Sequence, residues 1–269
     1  MQKKVYDDSK VTNNLNKIKH KILVLSGKGG VGKSTVSANL AVALSEKGYD
    51  VGILDIDIHG PSIPKMLGVE DDKPLSTDEG INPVLFSPKL KVMSMGFLLP
   101  DKDSPVIWRG PLKMAAIKQL IGDVNWGNLD YLIVDIPPGT GDEPLSIAQL
   151  IPNCDGAIVV TTPQDVALIS VRKSINFVKK MNMPVIGIIE NMSGFKCPHC
   201  GKSIDIFKTG GGFKTSKDFK VPFLGKVPLD AEIVKTGDSG EPLVAKDKKS
   251  EASKAFIEIV KNIEKNVNK

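Results

Sequence analysis

Apolar runs of four to seven residues recur along this chain. Several are followed by a polar or glycine-bearing turn and then by a stretch with apolar residues at helical spacing. The runs at 21–26, 51–54, 90–95, 130–135, 156–161, 184–190 and 221–227 read as strands. The stretches at 33–47, 112–121, 166–181 and 251–267 read as helices, with a short one at 63–67. In the last helix Phe256, Ile259, Val260 and Ile263 fall at i, i+3, i+4 and i+7, one apolar stripe able to pack on a core. Alternating strand and helix patterns imply right-handed βαβ units and a mostly parallel, doubly wound sheet flanked by helices. Residues 1–19 are polar without a strong period and read as a mobile arm or a loose helix docked on the surface, ahead of a single domain spanning 20–269. Residues 70–91, rich in Asp, Pro, Ser and Lys, read as a long surface loop.

Composition narrows this picture modestly. At 269 residues and 41% hydrophobic content the chain suits one large α/β domain. Its net charge of +5 is a mild bias spread along the chain, which gives little support to a nucleic-acid partner. Three cysteines do not make a secreted disulfide framework. No N-terminal apolar core resembles a signal peptide, and no run approaches bilayer length, so a soluble cytoplasmic protein without stable membrane association is expected.

The chemistry begins after the first strand. Gly27-Lys28-Gly29-Gly30-Val31-Gly32-Lys33-Ser34-Thr35 contains the G-x-x-x-x-G-K-[ST] spacing between a strand and a helix, the context of a phosphate-binding P-loop. Glycines bring backbone N–H groups close to a polyanion, and the helix N-terminus adds unpaired donors. Lys33 supplies a cation for the phosphates and Ser34 a hydroxyl for Mg²⁺. Asp55 and Asp57 close the second strand; two residues apart, they share a face and can both point at the phosphates. Asp57 is the candidate for orienting or deprotonating an attacking water, and Asp55 for holding Mg²⁺ through water. Asp135 ends the apolar run 130–135 as a Walker B carboxylate does. The Pro137-Pro138-Gly139-Thr140-Gly141 turn after it is expected to bring free N–H groups, notably that of Gly139, near a γ-phosphate. Asn191 ends another strand and is either an adenine-reading amide or a turn former. Arg109, in Trp108-Arg109-Gly110-Pro111, is either an anion partner or a surface ion-pair residue.

A second motif, Cys197-Pro198-His199-Cys200, sets two soft thiols on one small turn. Fe–S binding, Zn²⁺ binding and a redox disulfide all fit a C-x-x-C pair. Two ligands do not close a four-coordinate site, whereas a homodimer supplies four across its two-fold axis. Cys154, beside Pro152-Asn153, reads as a packed thiol.

Lys28 is a cation that a general P-loop does not need, and G-K-G-G-V-G-K-S-T resembles the deviant Walker A of the superfamily containing MinD, ParA and the nitrogenase iron protein. With DIDIHGPSIPKML (55–67), DYLIVDIPPGTGD (130–142), NMSGFKCPHCG (191–201) and Thr209–Gly212, the chain resembles the Mrp/ApbC family of iron–sulfur cluster carrier ATPases over roughly residues 20–245. The resemblance implies a MinD-like P-loop fold and ATP held at Gly27–Thr35, with Asn191 and the region of Pro228 near adenine. It further implies Lys28 acting across a homodimer, Asp57 orienting water, and Ser34 and Asp135 serving Mg²⁺. Cys197 and Cys200 would bind a [4Fe–4S] cluster shared between subunits and passed to apo iron–sulfur proteins, with Zn²⁺ the alternative occupant. Among relatives of this kind the chain reads as a minimal, core-only form. Two other functions share parts of the pattern. A MinD- or ParA-like positioning ATPase would use the terminal amphipathic helix or a basic face. A nitrogenase-iron-protein-like electron donor would cycle a stable cluster.

Overall fold

The computed structural model describes residues 8–58, 60–99, 108, 110–197 and 199–268; Arg109 lies outside them. In chain order the elements are α1 (Asp8–Leu15), β1 (Ile18–Ser26), α2 (Lys33–Glu46), β2 (Val51–Asp55) and α3 (Ile63–Met66). Then come β3 (Leu75–Thr77), β4 (Gly80–Asn82), β5 (Val84–Ser87), β6 (Leu90–Ser94), α4 (Gly110–Gly122), β7 (Leu129–Asp135) and α5 (Asp142–Leu150). The rest are β8 (Gly156–Thr161), α6 (Asp165–Lys180), β9 (Val185–Glu190), β10 (Phe195–Lys196), β11 (Ser203–Ile204), α7 (Gly211–Phe219), β12 (Phe223–Lys226), α8 (Ala231–Asp238), α9 (Leu243–Lys246) and α10 (Glu251–Val267).

Eight strands form one sheet in the order β12-β9-β8-β1-β7-β2-β6-β5, parallel except for β5, which runs antiparallel to β6 at the edge. The central strands are apolar on both faces because both faces are covered. Alternation then divides β1 between two cores. Ile22 and Val24 pack with α2, α9 and α10, whereas Leu23 and Leu25 pack with α1, α4, α5 and α6. The stripe of Phe256, Ile259, Val260 and Ile263 on α10 is buried in the first core. In the second, Val11 and Leu15 of α1 pack on the same cluster as Ile117 and Leu120 of α4.

Several elements differ from the sequence expectation. The 70–91 loop holds the β3–β4 hairpin and edge strand β5. Strands of three or four residues are too short to show a period, and this hairpin is docked by Ile81, which exchanges backbone bonds with Asp123 and Asn125. Between the expected elements lie also α5, α7, α8 and the β10–β11 hairpin.

β1 pairs with β7 on one side and β8 on the other. Its loop therefore opens where crossovers leave in opposite directions, the crevice at which open α/β sheets take ligands.

Candidate nucleotide site and cysteine hairpin

The P-loop wraps from β1 into α2, and two glycines show why its spacing is required. A Cβ on Gly27 would lie 2.5 Å from the Ser170 carbonyl oxygen of α6, and one on Gly32 would lie 2.2 Å from Asn191 Nδ2. Gly32 also has φ of 78°, a left-handed turn that launches α2 with its first N–H groups pointing into the loop.

Beneath the loop sits a buried network. Lys33 Nζ is 2.6 Å from Asp135 Oδ2 and 3.6 Å from Asp57 Oδ2. Asp135 also accepts from Ser34 Oγ at 2.7 Å and from Ser37 Oγ at 2.6 Å. The fully buried Asp135 carboxylate is thus met by a cation and two hydroxyls, which is what makes its burial tolerable. Asp55 ends β2 in register with Asp135 of β7. Its carboxylate accepts from Ser94 Oγ at 3.0 Å and from the backbone N–H groups of Asp57 and Ile63. Burial, reinforced by the Asp135 carboxylate, pushes the Asp55 pKa up to about 8, while Lys33, Ser94 and the Asp57 N–H pull it down. Asp57 lies beyond the end of β2, so strand alternation does not place it. What places it is the turn whose N–H bonds back to Asp55.

One expectation about a free polar group is corrected. The Gly139 N–H is not free: it donates to the Ser26 carbonyl at 2.8 Å, because the Pro-Pro-Gly turn folds back on the end of β1. The Asn191 amide is buried and donates to the Val31 carbonyl at 2.9 Å, bracing the P-loop from outside. Asn191 nevertheless borders a cavity of about 280 Å³, whose lining includes Thr35, Asn39, Met192, Pro228 and Leu229. Pro228 and Asn191, both expected near a base, are thereby brought to one concavity beside the loop. Lys28 is half-buried, and no described carboxylate pairs with it.

The cysteines sit on the turn of the β10–β11 hairpin. Cys197 N–H donates to Lys202 O, and Gly201 N–H donates to Cys197 O, closing the turn. Cys200 is exposed and Cys197 half-buried, with no disulfide between them. The Cys200 and then the His199 backbone N–H groups, with the Cys200 thiol, hold the Cys197 pKa below the usual thiol range, which favours the ligand form of sulfur. Cys154 is the opposite case. It donates to Lys21 O at 3.0 Å, and burial pushes its pKa up to about 11.

The charge around the hairpin corrects the composition reading. Residues 195–226 contain seven lysines and two aspartates, a formal +5, so the rest of the chain carries 29 charges of each sign and sums to zero. All seven lysines are exposed. The positive bias is concentrated on the hairpin, α7 and β12.

Sequence reasoning missed Glu190 altogether. The last residue of β9, it is fully buried; it accepts from Gly210 N–H at 2.8 Å and also from Ser193 Oγ and Gly212 N–H. A glutamate closing an apolar strand was the available signal.

A family model described as ParA, the NUBPL iron-transfer P-loop NTPase, matches residues 17–264. The chain belongs to this family. It is 57% identical over 256 residues to a Methanocaldococcus jannaschii protein named iron-sulfur cluster carrier protein, covering 95% of this chain and 88% of that one. It is 55% identical over 226 residues to the cytosolic Fe-S cluster assembly factor CFD1 of Kluyveromyces lactis, covering 82% and 80%. Among solved structures, a nucleotide-binding protein from Archaeoglobus fulgidus in complex with ADP, with cobalt found in it, superposes with a TM-score of 0.80. It shares 39% identity and covers 93% of this chain and 97% of its own. The P-loop, Asp135 and the C-x-x-C hairpin therefore belong to an iron-transfer NTPase scaffold.

Proposed function

We propose that this chain is an ATP-hydrolysing iron–sulfur cluster carrier that works as a homodimer. In this reading Cys197 and Cys200 of each copy hold a [4Fe–4S] cluster between subunits and release it to apo-proteins. The observation that carries it is the exposed hairpin turn presenting two thiols, one with a lowered pKa, on a P-loop NTPase scaffold. The names of the Methanocaldococcus and Kluyveromyces relatives support the cargo, and the ADP complex of the Archaeoglobus protein supports the nucleotide.

The residues present fit Mg²⁺ and nucleotide phosphates. Ser34 Oγ and the Asp135 carboxylate are adjacent hard oxygen donors, and Lys33 lies against both. Bound there, Mg²⁺ would neutralise charge developing on the phosphates. Lys33 then exchanges its bond to Asp135 for a phosphate oxygen, and α2 contributes N–H donors from its first turn. In this reading Asp57 orients the attacking water, and its 3.6 Å distance from Lys33 supports the assignment. Lys28 supplies its cation to the partner's nucleotide, so hydrolysis requires the dimer. Asn191, by releasing Val31, gains an amide for the base in the cavity bordered by Pro228.

A membrane-positioning ATPase finds less support, because the apolar stripe of α10 is committed to the core. No described helix is long and apolar enough to cross a membrane. The cytosolic placement in the name of the Kluyveromyces relative is consistent with the same placement here.

The test is anaerobic reconstitution with iron and sulfide, counting iron, sulfide and zinc per two chains in wild type and Cys197→Ala. The expected result is about four irons per two chains, as four thiolates and one cubane cluster require, lost in the variant. Zinc, or no metal, in the wild type overturns the cargo. ATP turnover by Lys28→Ala then checks the dimer: binding persists while hydrolysis falls. Unchanged hydrolysis removes Lys28 from the mechanism.

A further inference from the structure

The geometry points to Glu190–Asn191 as the joint that couples the P-loop to the cysteine hairpin, with Glu190 a positioning residue for the two thiols. The two residues are consecutive at the end of β9, and their side chains serve different sites. Asn191 Nδ2 holds the P-loop at Val31 O, 2.9 Å away. The Glu190 carboxylate gathers both ends of the excursion that carries the cysteines, taking Ser193 Oγ on the outgoing side and the Gly210 and Gly212 N–H groups on the returning side. Twenty residues separate Glu190 from Gly210, and this buried carboxylate closes the interval like a drawstring. Among the described residues, those polar groups and the first turn of α7 are what meets the carboxylate. A shift at the end of β9 therefore moves the root of the hairpin.

A second connection runs in parallel. Ser193 N–H donates to Val227 O, Leu229 N–H donates to Gly194 O, and Phe195 bridges to Leu229. Pro228 and Leu229 also line the cavity beside the P-loop. The backbone that roots the hairpin is thus the backbone that walls the nucleotide side. Asn191 N–H, bonded to Thr161 O at 2.7 Å, anchors the whole turn to β8.

The inference rests on the proposed nucleotide and thiol-metal sites, and it predicts reciprocal linkage. A nucleotide that takes the Asn191 amide from Val31 shifts the hairpin root and changes metal affinity at the thiols, and metal changes nucleotide affinity by the same factor. The experiment titrates the full-length apo-protein with Co²⁺, read by its thiolate charge-transfer absorption, with and without saturating Mg²⁺–ADP. Fluorescent ADP is titrated with and without Co²⁺. Wild type, Glu190→Gln, Glu190→Asp and Asn191→Ala are compared.

In wild type each ligand is expected to change the other's Kd by roughly 5- to 100-fold, the ordinary span of allosteric coupling. Glu190→Gln should still bind ADP within about threefold of wild type, bind Co²⁺ about tenfold more weakly and lose the linkage. Glu190→Asp, which keeps the charge, should restore part of it. Asn191→Ala should bind Co²⁺ normally and lose the linkage. If wild type binds both ligands without linkage, or Glu190→Gln keeps it, the joint is wrong while the two sites stand. If wild type binds no ADP or no Co²⁺, the underlying site reading fails and the joint with it.

Discussion

The P-loop network and the cysteine hairpin are built on opposite principles. Around Lys33 the acidic groups are buried and their polar partners come from one chain: Asp135 meets Lys33, Ser34 and Ser37, and Asp55, its charge disfavoured by burial, meets Ser94 and two backbone N–H groups. At the hairpin the thiols face solvent on a two-strand turn, and the structure that holds them lies in their roots at Glu190 and Leu229. A site that must hold phosphates in one geometry gains from preorganisation in a dry interior. A site that must give up its cargo gains from exposure and from ligands free to move. The contrast therefore predicts that damage to the P-loop network costs fold and ligand together, whereas damage to the hairpin costs ligand alone.

The largest effect belongs to Lys33→Ala. Removing the cation leaves Asp135 fully buried with two hydroxyls as its polar partners, and breaking a buried pair from one side costs about 3–5 kcal/mol. Nucleotide affinity should fall on the order of 100-fold with the lost phosphate contact. Chemical denaturation beside ADP titration checks both; an unchanged denaturation midpoint would show that the network is not a structural unit. Next comes Gly27→Ala. Its Cβ would sit 2.5 Å from a backbone oxygen of α6, which cannot rotate away. Overpacking of this kind costs about 1–3 kcal/mol, and the loop is displaced from α6. A variant with wild-type stability and wild-type nucleotide affinity would mean that the loop and α6 are not held together.

Asp55 tests the same network through pH. Its folded pKa of about 8 lies above the ordinary carboxylate value, so between those two values the folded protein binds more protons than the unfolded chain. Its contribution to apo-protein stability is therefore full below the ordinary carboxylate pKa and is lost as pH rises toward 8. Asp55→Asn should flatten that fall in urea melts run from pH 5 to 8. A variant that keeps the wild-type slope would assign the pH dependence to another group.

The same contrast explains what was legible in the sequence. Buried parallel strands are continuous apolar runs, and the P-loop spacing is dictated by close approaches at Gly27 and Gly32, so both stand out from residue types alone. The C-x-x-C pair was visible because the chemistry of sulfur is local. What supports that pair was not. α7 begins with glycines, which are poor helix formers, and its start is held by a carboxylate twenty residues earlier. α5 carries Pro144 in its first turn, and β10 and β11 have two residues each. Nor could the free N–H expected at Gly139 be judged from spacing, since its partner, Ser26 O, comes from a different βα unit. Long-range partners decide each of these, and a linear pattern does not carry them.

The hairpin side of the contrast gives smaller effects. Cys197→Ser and Cys200→Ser should each abolish metal binding while moving stability by no more than about 0.5 kcal/mol, as surface changes do. A larger loss would show that the thiols also hold the fold. The mildest measurement compares the cysteines with each other. Backbone N–H groups favour the Cys197 thiolate, whereas burial pushes the Cys154 pKa up to about 11. Because the thiolate is the nucleophile, iodoacetamide at pH 7 should label Cys197 first and Cys154 last in the native apo-protein, with mass spectrometry locating the adducts. Raising pH increases both rates, but the Cys197 rate should level off at lower pH, since its thiolate fraction saturates earlier. In urea the N–H groups and the burial both disappear, so the three cysteines should converge on one pH profile. An order that survives unfolding would trace the difference to neighbouring residues in the chain and not to the turn that presents the hairpin thiols.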